Sequence, residues 1–205
     1  MKKQYAFYLD SSRCSGCKTC QIACKDKNNL ELGVLWRRVY EIGSGGWKKN
    51  GGAWNHELKA YNLSISCNHC ERPVCVEVCP TKAMHKNKNG IVTIDAKKCI
   101  GCQYCLWACP YGAPQYDESK GIMSKCDFCA DYLQDGKNPS CVDACPMRVI
   151  DFGELKDLKK KYGGVEELYP MPEAHHTKPA IVIKPHNDSI ESGDSLARII
   201  NKEEI

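Results

Sequence analysis

The sequence lacks any apolar run of about eighteen residues, the length that an α-helix needs to cross a bilayer. The apolar stretch nearest to the N-terminus, Tyr5 to Leu9, is also too short for the hydrophobic region of a signal peptide. We therefore expect no membrane span and no signal peptide of its own. If the protein works at a membrane, a partner subunit has to hold it there.

The sequence also lacks the patterns of a catalytic protein. It has no glycine-rich loop of the kind that binds a nucleotide, which argues against a flavin or nicotinamide activity of this chain alone. No histidine has a partner at the spacing of a metal site or of a general base. The histidines are His56, His69, His85, His175, His176 and His186. Two of them, His69 and His85, lie near cysteines, where they either tune a metal cluster by hydrogen bonding or make ordinary polar contacts.

Cysteine, in contrast, is abundant, with sixteen residues in four groups of four. Groups one and three have the spacing C-x2-C-x2-C-x3-C, and groups two and four are stretched variants of it. The groups are Cys14, Cys17, Cys20 and Cys24 (one); Cys67, Cys70, Cys75 and Cys79 (two); Cys99, Cys102, Cys105 and Cys109 (three); and Cys126, Cys129, Cys141 and Cys145 (four). Four thiolates hold one [4Fe-4S] cluster, and no cysteine is left over. The pattern therefore predicts four [4Fe-4S] clusters and an electron-transfer role.

Zinc sites and disulfides are the alternative uses of cysteine. A structural zinc site usually joins two C-x2-C pairs across a long spacer, so a third closely spaced cysteine would be surplus. Disulfides need an oxidising compartment, for which the N-terminus gives no signal. The second hypothesis is therefore a zinc-stabilised interaction module without a redox role, which a visible absorption spectrum separates from an iron-sulfur protein.

The spacing also predicts that the groups exchange ligands. Three cysteines two residues apart curl around one cluster, and the fourth lies one turn along a short helix. Two cysteines one turn apart reach clusters on either side of that helix. In two-cluster ferredoxins the fourth cysteine of each run accordingly binds the cluster of the other run.

An internal repeat indicates which groups form pairs. Residues 10 to 17 match residues 95 to 102 in layout, and a short hairpin that turns at Asn89-Gly90 joins groups two and three into one unit. Groups one and four must then pair across the chain, with the strand 149 to 152 beside Tyr5 to Leu9. The predicted ligand sets are Cys14, Cys17, Cys20 and Cys145 (set 1); Cys126, Cys129, Cys141 and Cys24 (set 2); Cys67, Cys70, Cys75 and Cys109 (set 3); and Cys99, Cys102, Cys105 and Cys79 (set 4).

The expected fold class is α+β, with two bacterial-type ferredoxin-like units related by a pseudo-twofold axis and two [4Fe-4S] clusters in each. An inserted β-ribbon and an extended C-terminal tail complete the chain. The predicted boundaries are residues 1–30 and 110–162 for the first unit, 31–66 for the ribbon, 67–109 for the second unit, and 163–205 for a tail that docks on a partner.

The ribbon and the tail each have two interpretations. The ribbon has strand-like stretches at residues 35–42 and 58–65 around a glycine-rich segment. It is either a lid over a cluster or, because of its tryptophans, an interface. The tail contains the apolar insert Ile181 to Ile183, and we expect it either to fray or to dock along another subunit.

The formal net charge of +4 does not indicate a nucleic-acid partner. An oxidised cluster with four thiolates carries about −2, so four clusters bring the holoprotein to about −4. Basic residues beside the cysteines either offset this charge and raise reduction potentials, or form a solvated surface. They are Lys18, Lys25, Arg72, Lys97, Lys98 and Lys125.

The four groups, the segment CPYGAP at Cys109 to Pro114 and the segment SCNHC at Ser66 to Cys70 resemble the iron-sulfur subunits of complex iron-sulfur molybdoenzymes, in particular the dimethyl sulfoxide reductase type. The resemblance covers essentially the whole chain. It implies a heterotrimer with a molybdopterin catalytic subunit and an integral membrane anchor subunit that oxidises quinol in anaerobic respiration. The chain would then be peripheral on the cytoplasmic membrane through its partners, at the periplasmic face if exported with a partner, or at the cytoplasmic face.

Cys102 distinguishes the chain from one branch of this family. The nitrate reductase relative has tryptophan at this position and carries a three-iron cluster, so Cys102 implies that all four clusters are [4Fe-4S]. The same role in a polysulfide, tetrathionate, selenate or formate complex is the alternative, because substrate choice lies in the catalytic subunit.

Overall fold

The computed structural model describes residues 3 to 190 and 197 to 205, so that part of the predicted tail lies outside the described residues. The strands are β1 (Tyr5–Asp10), β2 (Arg38–Ser44), β3 (Trp47–Asn50), β4 (Ala53–His56), β5 (Lys59–Ile65), β6 (Met84–Lys86), β7 (Val92–Ile94), β8 (Gln115–Asp117), β9 (Ile122–Ser124), β10 (Ile150–Glu154), β11 (Ile181–Lys184) and β12 (Arg198–Ile199). The helices are α1 (Thr19–Lys27), α2 (Val74–Glu77), α3 (Tyr104–Ala108), α4 (Ala130–Gln134), α5 (Ser140–Asp143) and α6 (Leu155–Tyr162). The mixed helix and strand content agrees with the predicted α+β class.

Strand β1 is the centre of a three-stranded sheet with the order β10-β1-β11. Its side chains alternate between two apolar clusters, as expected for a strand that is covered on both faces. Phe7 and Leu9 face the core that also contains cysteines, and Ala6 and Tyr8 face α6. The antiparallel pairing of β1 with β10 places Phe7 opposite Phe152, which confirms the pairing predicted between residues 5–9 and 149–152.

The apolar insert of the tail is part of this sheet. Strand β11 runs parallel to β1, with Phe7 opposite Ile181 and Leu9 opposite Ile183, and its three apolar residues are buried. The expectation that this insert would fray or dock on another subunit is therefore wrong. The reason is that β1 has an edge free after it pairs with β10, and β11 satisfies its backbone groups while adding apolar side chains to both faces.

Two further strand pairs come from the segment between the first two cysteine groups. Strands β2 and β5 pair antiparallel from Arg38 opposite Ile65 to Ser44 opposite Lys59, and β12 pairs with the outer edge of β2. Beyond them, β3 and β4 form a hairpin whose residues are all exposed. The sequence patterns predicted the inner strands and left this outer hairpin out, because its polar and glycine-rich sequence resembles a loop.

The remaining elements are short and lie beside cysteines. Strands β6 and β7 pair as the hairpin predicted between groups two and three, with Met84 opposite Ile94. Helices α1, α2, α3 and α5 each contain at least one cysteine, and three of these helices are five residues long or shorter. Within the described part of the chain, none of the helices has the length and apolar character needed to cross a membrane.

Candidate metal centres

The cysteines of set 3 line one cavity of about 350 Å³. Cys67 and Cys70 follow strand β5, Cys75 lies on α2, and Cys109 ends α3. The lining is almost entirely apolar apart from a few side chains that include Asn68, His69 and Thr177. Four thiols from three separate segments thus converge on one enclosed space.

The cysteines of set 4 line a second cavity of about 320 Å³ on the other side of the same two helices. Cys79 follows the end of α2, and Cys105 lies on α3, so each helical segment supplies one cysteine to this cavity and one to the cavity of set 3. The pairs Cys75 with Cys79 and Cys105 with Cys109 are four residues apart. Their division between two cavities is the exchange that the spacing predicted.

The cysteines of set 1 line a third cavity of about 300 Å³. Cys14 and Cys17 belong to the loop after β1, Cys20 lies on α1, and Cys145 follows α5. Each of the three cavities is lined by four cysteines and otherwise mainly by apolar surface, as expected if each holds the same kind of group.

The cysteines of set 2 are Cys24, Cys126, Cys129 and Cys141, and all four are buried. Burial raises the pKa of Cys24 to about 12, and the charges of Cys141 and Cys129 contribute to the rise. Burial and the charge of Cys24 raise the pKa of Cys126 well above its ordinary value. The hydroxyl of Ser140 donates to the carbonyl of Ala23 at 3.1 Å, so α5 and α1 hold the adjacent residues Cys141 and Cys24 close to each other.

The structure places the cysteines of sets 1, 3 and 4 around one cavity each, and it holds Cys24 and Cys141 of set 2 on two helices that pack together. Ligation of iron by these sets stays a prediction. Each of the four cysteine-bearing helical segments has cysteines of two predicted sets four residues apart, since α1 carries Cys20 and Cys24, and α5 carries Cys141 just before Cys145.

The backbone repeats at equivalent positions of groups one and three. Gly16 and Gly101 have φ of +70° and +68°, and the residues two positions later, Lys18 and Gln103, have φ of +60° and +63°. A Cβ atom on Gly101 would lie 2.4 Å from the carbonyl oxygen of Gly121. Glycine is therefore required in this loop both by its left-handed conformation and by the close approach of another backbone.

Groups two and four show their own backbone repeat. The residues between the first two cysteines include His69 with φ of +42° and Phe128 with φ of +68°. After the last cysteine, Lys82 and Arg148 have φ of +56° and +53°. Because left-handed residues other than glycine are uncommon, the recurrence at matching positions indicates that both loops fold in the same way.

The electrostatic environment of the cysteines favours a bound cation. Burial raises the pKa of Cys14 to about 11, of Cys70 to about 12 and of Cys105 to about 11, and it also raises the pKa of Cys75. Without a metal these thiols are therefore protonated at neutral pH. Iron would stabilise the thiolate form, because a metal supplies the positive charge that the apolar surroundings do not.

Hydrogen-bond donors around the cysteine sets provide a second test of whether these residues fit an iron-sulfur cluster. Among the described residues, four buried side-chain nitrogens have no partner, and they are Arg37 Nε, Arg38 Nε, Asn68 Nδ2 and His69 Nε2. Asn68 and His69 line the cavity of set 3. A buried donor without an acceptor is costly, and the sulfur atoms of a cluster would accept such bonds. The residues therefore fit [4Fe-4S] clusters.

Other donors already contact cysteine sulfurs. The backbone N–H groups of Met84, Met123 and Val149 donate to Cys79, Cys99 and Cys145 respectively, each at 3.4 Å between nitrogen and Sγ. Bonds of this kind stabilise the more negative state of a cluster.

The two histidines near cysteines differ in their roles. His69 is buried, and its Nδ1 accepts a hydrogen bond from the N–H of Val92, which leaves the proton on Nε2. Burial and the charge of Lys125 hold the pKa of His69 well below its ordinary value, so the ring is neutral. His85 is exposed and contacts Ala83 and Thr93, so ordinary polar packing explains it.

Three residues at the sites were not found from the sequence. Arg37 and Asn68 are buried beside cysteine sets, and Thr177 joins the hydroxyl of Tyr111 at 2.8 Å from within the tail. Asn68 lies inside the segment SCNHC, and its position between two cysteines is a signal that the sequence contains. Arg37 and Thr177 have no such signal, because they are remote in sequence from the cysteines that they approach.

The structure also groups two histidines that the sequence patterns had set aside. Glu173, His175 and His176 bring one ligand atom each within 4.8 Å of one another on an exposed 3-10 turn. All three side chains are exposed to solvent, and nothing else at this turn points to a metal.

The chain is similar to known proteins over its whole length. Residues 58–155 match the family model described as a 4Fe-4S dicluster domain. The B subunit of anaerobic dimethyl sulfoxide reductase from Escherichia coli K12 is 52% identical over 205 residues, which is the full length of both proteins. The thiosulfate reductase electron transfer subunit PhsB of Salmonella typhi is 38% identical and covers 85% of this chain and 88% of its own length. The B subunit of polysulfide reductase from Wolinella succinogenes is 36% identical and covers 91% of this chain and 96% of its own length.

Proposed function

The chain belongs to the family of iron-sulfur electron-transfer subunits that includes the B subunit of anaerobic dimethyl sulfoxide reductase, and we propose that it binds four [4Fe-4S] clusters in one continuous series. The observation that carries the proposal is the convergence of all sixteen cysteines into four separate sets of four. The ligands are those of set 1 (Cys14, Cys17, Cys20, Cys145), set 2 (Cys24, Cys126, Cys129, Cys141), set 3 (Cys67, Cys70, Cys75, Cys109) and set 4 (Cys79, Cys99, Cys102, Cys105).

Shared helices support the order of the series. Helix α1 carries Cys20 of set 1 and Cys24 of set 2. Helices α2 and α3 each carry one cysteine and have a second just after their end, and these pairs join set 3 to set 4. Sets 2 and 3 are linked through Cys126, since the charges of Cys24 and Cys67 both act on its thiol. The sets therefore follow one another as 1, 2, 3 and 4. A [4Fe-4S] cluster, when bound, takes up and releases one electron.

The residues around the sets keep water away and stabilise charge. Phe7 and Phe128 stack at 4.1 Å between ring centroids, and Phe128 contacts the ring of His69, so apolar side chains fill the space between sets. Set 1 has the exposed Cys17, and set 4 is bordered by the exposed side chains of Ile100 and Tyr104. We infer that these two ends of the series face the two partner subunits.

The proposed architecture consists of two ferredoxin-like units with pseudo-twofold symmetry and an inserted β-ribbon. Support comes from the matching left-handed residues in groups one and three and in groups two and four. The pairing of β1 with β10 supports a first unit that is assembled from residues 1–30 and 110–162.

We further propose that electrons pass from a quinol-oxidising membrane anchor subunit through this chain to a molybdopterin catalytic subunit, in a heterotrimer that holds the chain at the membrane. Identity of 52% to a dimethyl sulfoxide reductase subunit favours dimethyl sulfoxide as the terminal acceptor of the complex. Identities of 38% and 36% to subunits of thiosulfate and polysulfide reductases make sulfur compounds the second candidate.

The test begins with the full chain purified without oxygen. We expect about sixteen irons and about sixteen acid-labile sulfides per chain, and a brown absorption that dithionite bleaches. A colourless protein with stoichiometric zinc would overturn the proposal. The complex is then purified with its partner subunits and supplied with a quinol donor. The rates at which it reduces dimethyl sulfoxide, thiosulfate and polysulfide identify the acceptor.

A further inference from the structure

Arg37 is the largest fully buried side chain in the described part of the protein. Nη1 donates to the backbone oxygen of Ser64 at 3.2 Å and to its Oγ at 3.1 Å, and Nη2 donates to Ser66 Oγ at 3.0 Å. The guanidinium lies 4.7 Å from the centroid of the Phe7 ring, and Nε has no partner among the described residues. All of these contacts are uncharged.

A guanidinium stays protonated even when it is buried, and a buried charge is stable only beside an opposite charge. Within the residues that the structure describes, Arg37 forms no ion pair with a carboxylate. The groups that act on it are Cys20 of set 1 and Cys24, Cys126 and Cys141 of set 2. Burial by itself would lower the pKa of Arg37, whereas the charged forms of these four cysteines raise it, and the net shift is upward. The contact through Ser64 places the guanidinium beside Cys20, and cluster-bound thiolates of sets 1 and 2 would supply the negative charge that the uncharged contacts of Arg37 do not.

Ser64 connects Arg37 to one ligand directly. Its Oγ accepts a hydrogen bond from Arg37 Nη1 and lies 3.2 Å from Sγ of Cys20. A cluster-bound Cys20 would be a thiolate without a hydrogen, so the hydroxyl of Ser64 would then be the donor of this bond. Its contact with the guanidinium would polarise the hydroxyl toward the sulfur.

We propose that Arg37 is a positioning residue for electron transfer, which raises the reduction potentials of the clusters of sets 1 and 2 by its charge and, for set 1, through the hydroxyl of Ser64. The inference rests on the proposed function, because it requires a cluster in each of the two sets. An added electron makes a cluster more negative, so a fixed positive charge nearby favours the reduced form. Low permittivity around Arg37 strengthens the effect, and one cation acting on both clusters brings their potentials up together.

The experiment compares Arg37→Gln, Arg37→Lys and wild type as full chains purified anaerobically with their clusters. Potentiometric titration followed by electron paramagnetic resonance gives the potential of each centre, and Cys17→Ser and Cys129→Ser assign the signals of sets 1 and 2. We expect Arg37→Gln to lower the potentials of these two centres and to leave set 4 unchanged. Arg37→Lys retains the charge and should restore most of the shift.

Arg38→Gln is the matched control. Arg38 is the next residue, has an unpartnered buried Nε, and donates through Nη2 to the carbonyls of Tyr111 and Gly112. Its charge acts on Cys109 of set 3. We expect Arg38→Gln to move the set 3 centre and to leave sets 1 and 2 unchanged.

The outcomes separate this inference from the proposed function. Fewer than four centres in wild type would overturn the proposed function. Four centres in wild type with unchanged set 1 and set 2 potentials in Arg37→Gln would overturn the role of Arg37 alone. If Arg37→Gln loses iron, the reduction potentials are measured in Ser64→Ala instead. We expect Ser64→Ala to lower the potential of the set 1 centre and to leave that of the set 2 centre unchanged. An unchanged set 1 potential in this variant would refute the inference.

Discussion

At the scale of single residues, the cysteine loops depend on backbone conformations that few residues adopt. Gly101 has φ of +68° and close contact with the backbone of Gly121, whereas Gly136 has φ of +71° and open space around it. The two glycines therefore share one conformation and differ in their surroundings. They allow the effect of conformation to be separated from that of close packing.

We predict that Gly101→Ala weakens iron binding by set 4 and lowers stability, and that Gly136→Ala has a much smaller effect on both. The left-handed conformation costs an alanine about 1–2 kcal/mol at either position. Only at Gly101 does the added methyl group also collide with the carbonyl of Gly121, so the loop has to move. The measurement is the rate of iron release to a chelator, together with the midpoint of chemical unfolding. Equal effects of both substitutions would contradict the close packing at Gly101.

Cys102 is the predicted set 4 ligand that the resemblance singles out against the nitrate reductase type. We predict that Cys102→Ser removes one thiolate corner, so that the iron at that corner leaves and a three-iron centre remains in set 4. The oxidised protein should then show the electron paramagnetic resonance signal of a three-iron cluster, with the other three centres unchanged. An unaltered spectrum with normal electron transfer would remove Cys102 from set 4.

At the scale of elements, strand β11 ties the tail to the ferredoxin core. Glu71 and Arg72 donate their backbone N–H groups to the carbonyls of Lys178 and Thr177, and Ala180 donates to Asn68. The tail thus runs across the cavity of set 3 before it joins β1. In this chain the tail therefore covers a cysteine set as well as extending a sheet.

We predict that Ile183→Ala destabilises the holoprotein by about 2–5 kcal/mol, the usual range for truncation of a buried isoleucine. Ile183 is fully buried between β1 and the cysteine-containing core. The control is Ile200→Ala, since Ile200 is 66% exposed and its truncation should change the unfolding free energy little. Anaerobic chemical unfolding, monitored by cluster absorption and circular dichroism, measures both. A much smaller change at Ile183, close to that at Ile200, would argue against the parallel pairing.

At the scale of the whole molecule, the cysteines are part of the apolar core. Nine of the sixteen cysteines are among the buried residues, and the main apolar core includes cysteines from sets 1, 2 and 3. The helices that carry them have few residues and make little structure by themselves. Metal binding and folding are therefore expected to be coupled.

We predict that removal of iron by oxidation in the presence of a chelator unfolds most of the chain. Far-ultraviolet circular dichroism should lose most of its strand and helix signal, and proteolysis should cut within residues 67–145 before it cuts elsewhere. The cause is the loss of four bridging groups from a small apolar core. Native-like dichroism in a protein without iron would show that the apolar core alone maintains the fold. Anaerobic reconstitution with iron and sulfide should restore the spectrum and serves as the control for damage.

The sequence by itself determined the chemistry of this protein. The spacing of its cysteines predicted membership of each set and the exchange of fourth ligands, because one helical turn fixes where Cys20 and Cys24, or Cys75 and Cys79, can point. The repeat also predicted the pairing of β1 with β10, which the structure confirms. These features are local or repeated, and local spacing is visible in a sequence.

Only the tertiary structure decided what surrounds the sets. Arg37 lies 17 positions after Cys20 in the sequence, yet it is enclosed by Phe7, Ser64 and Ser66 between two sets. The apolar pattern of Ile181 to Ile183 predicts an insert that frays or docks on another subunit, whereas in the fold it pairs with β1. Both outcomes depend on contacts between distant segments, and no periodicity along the chain records which segments will meet.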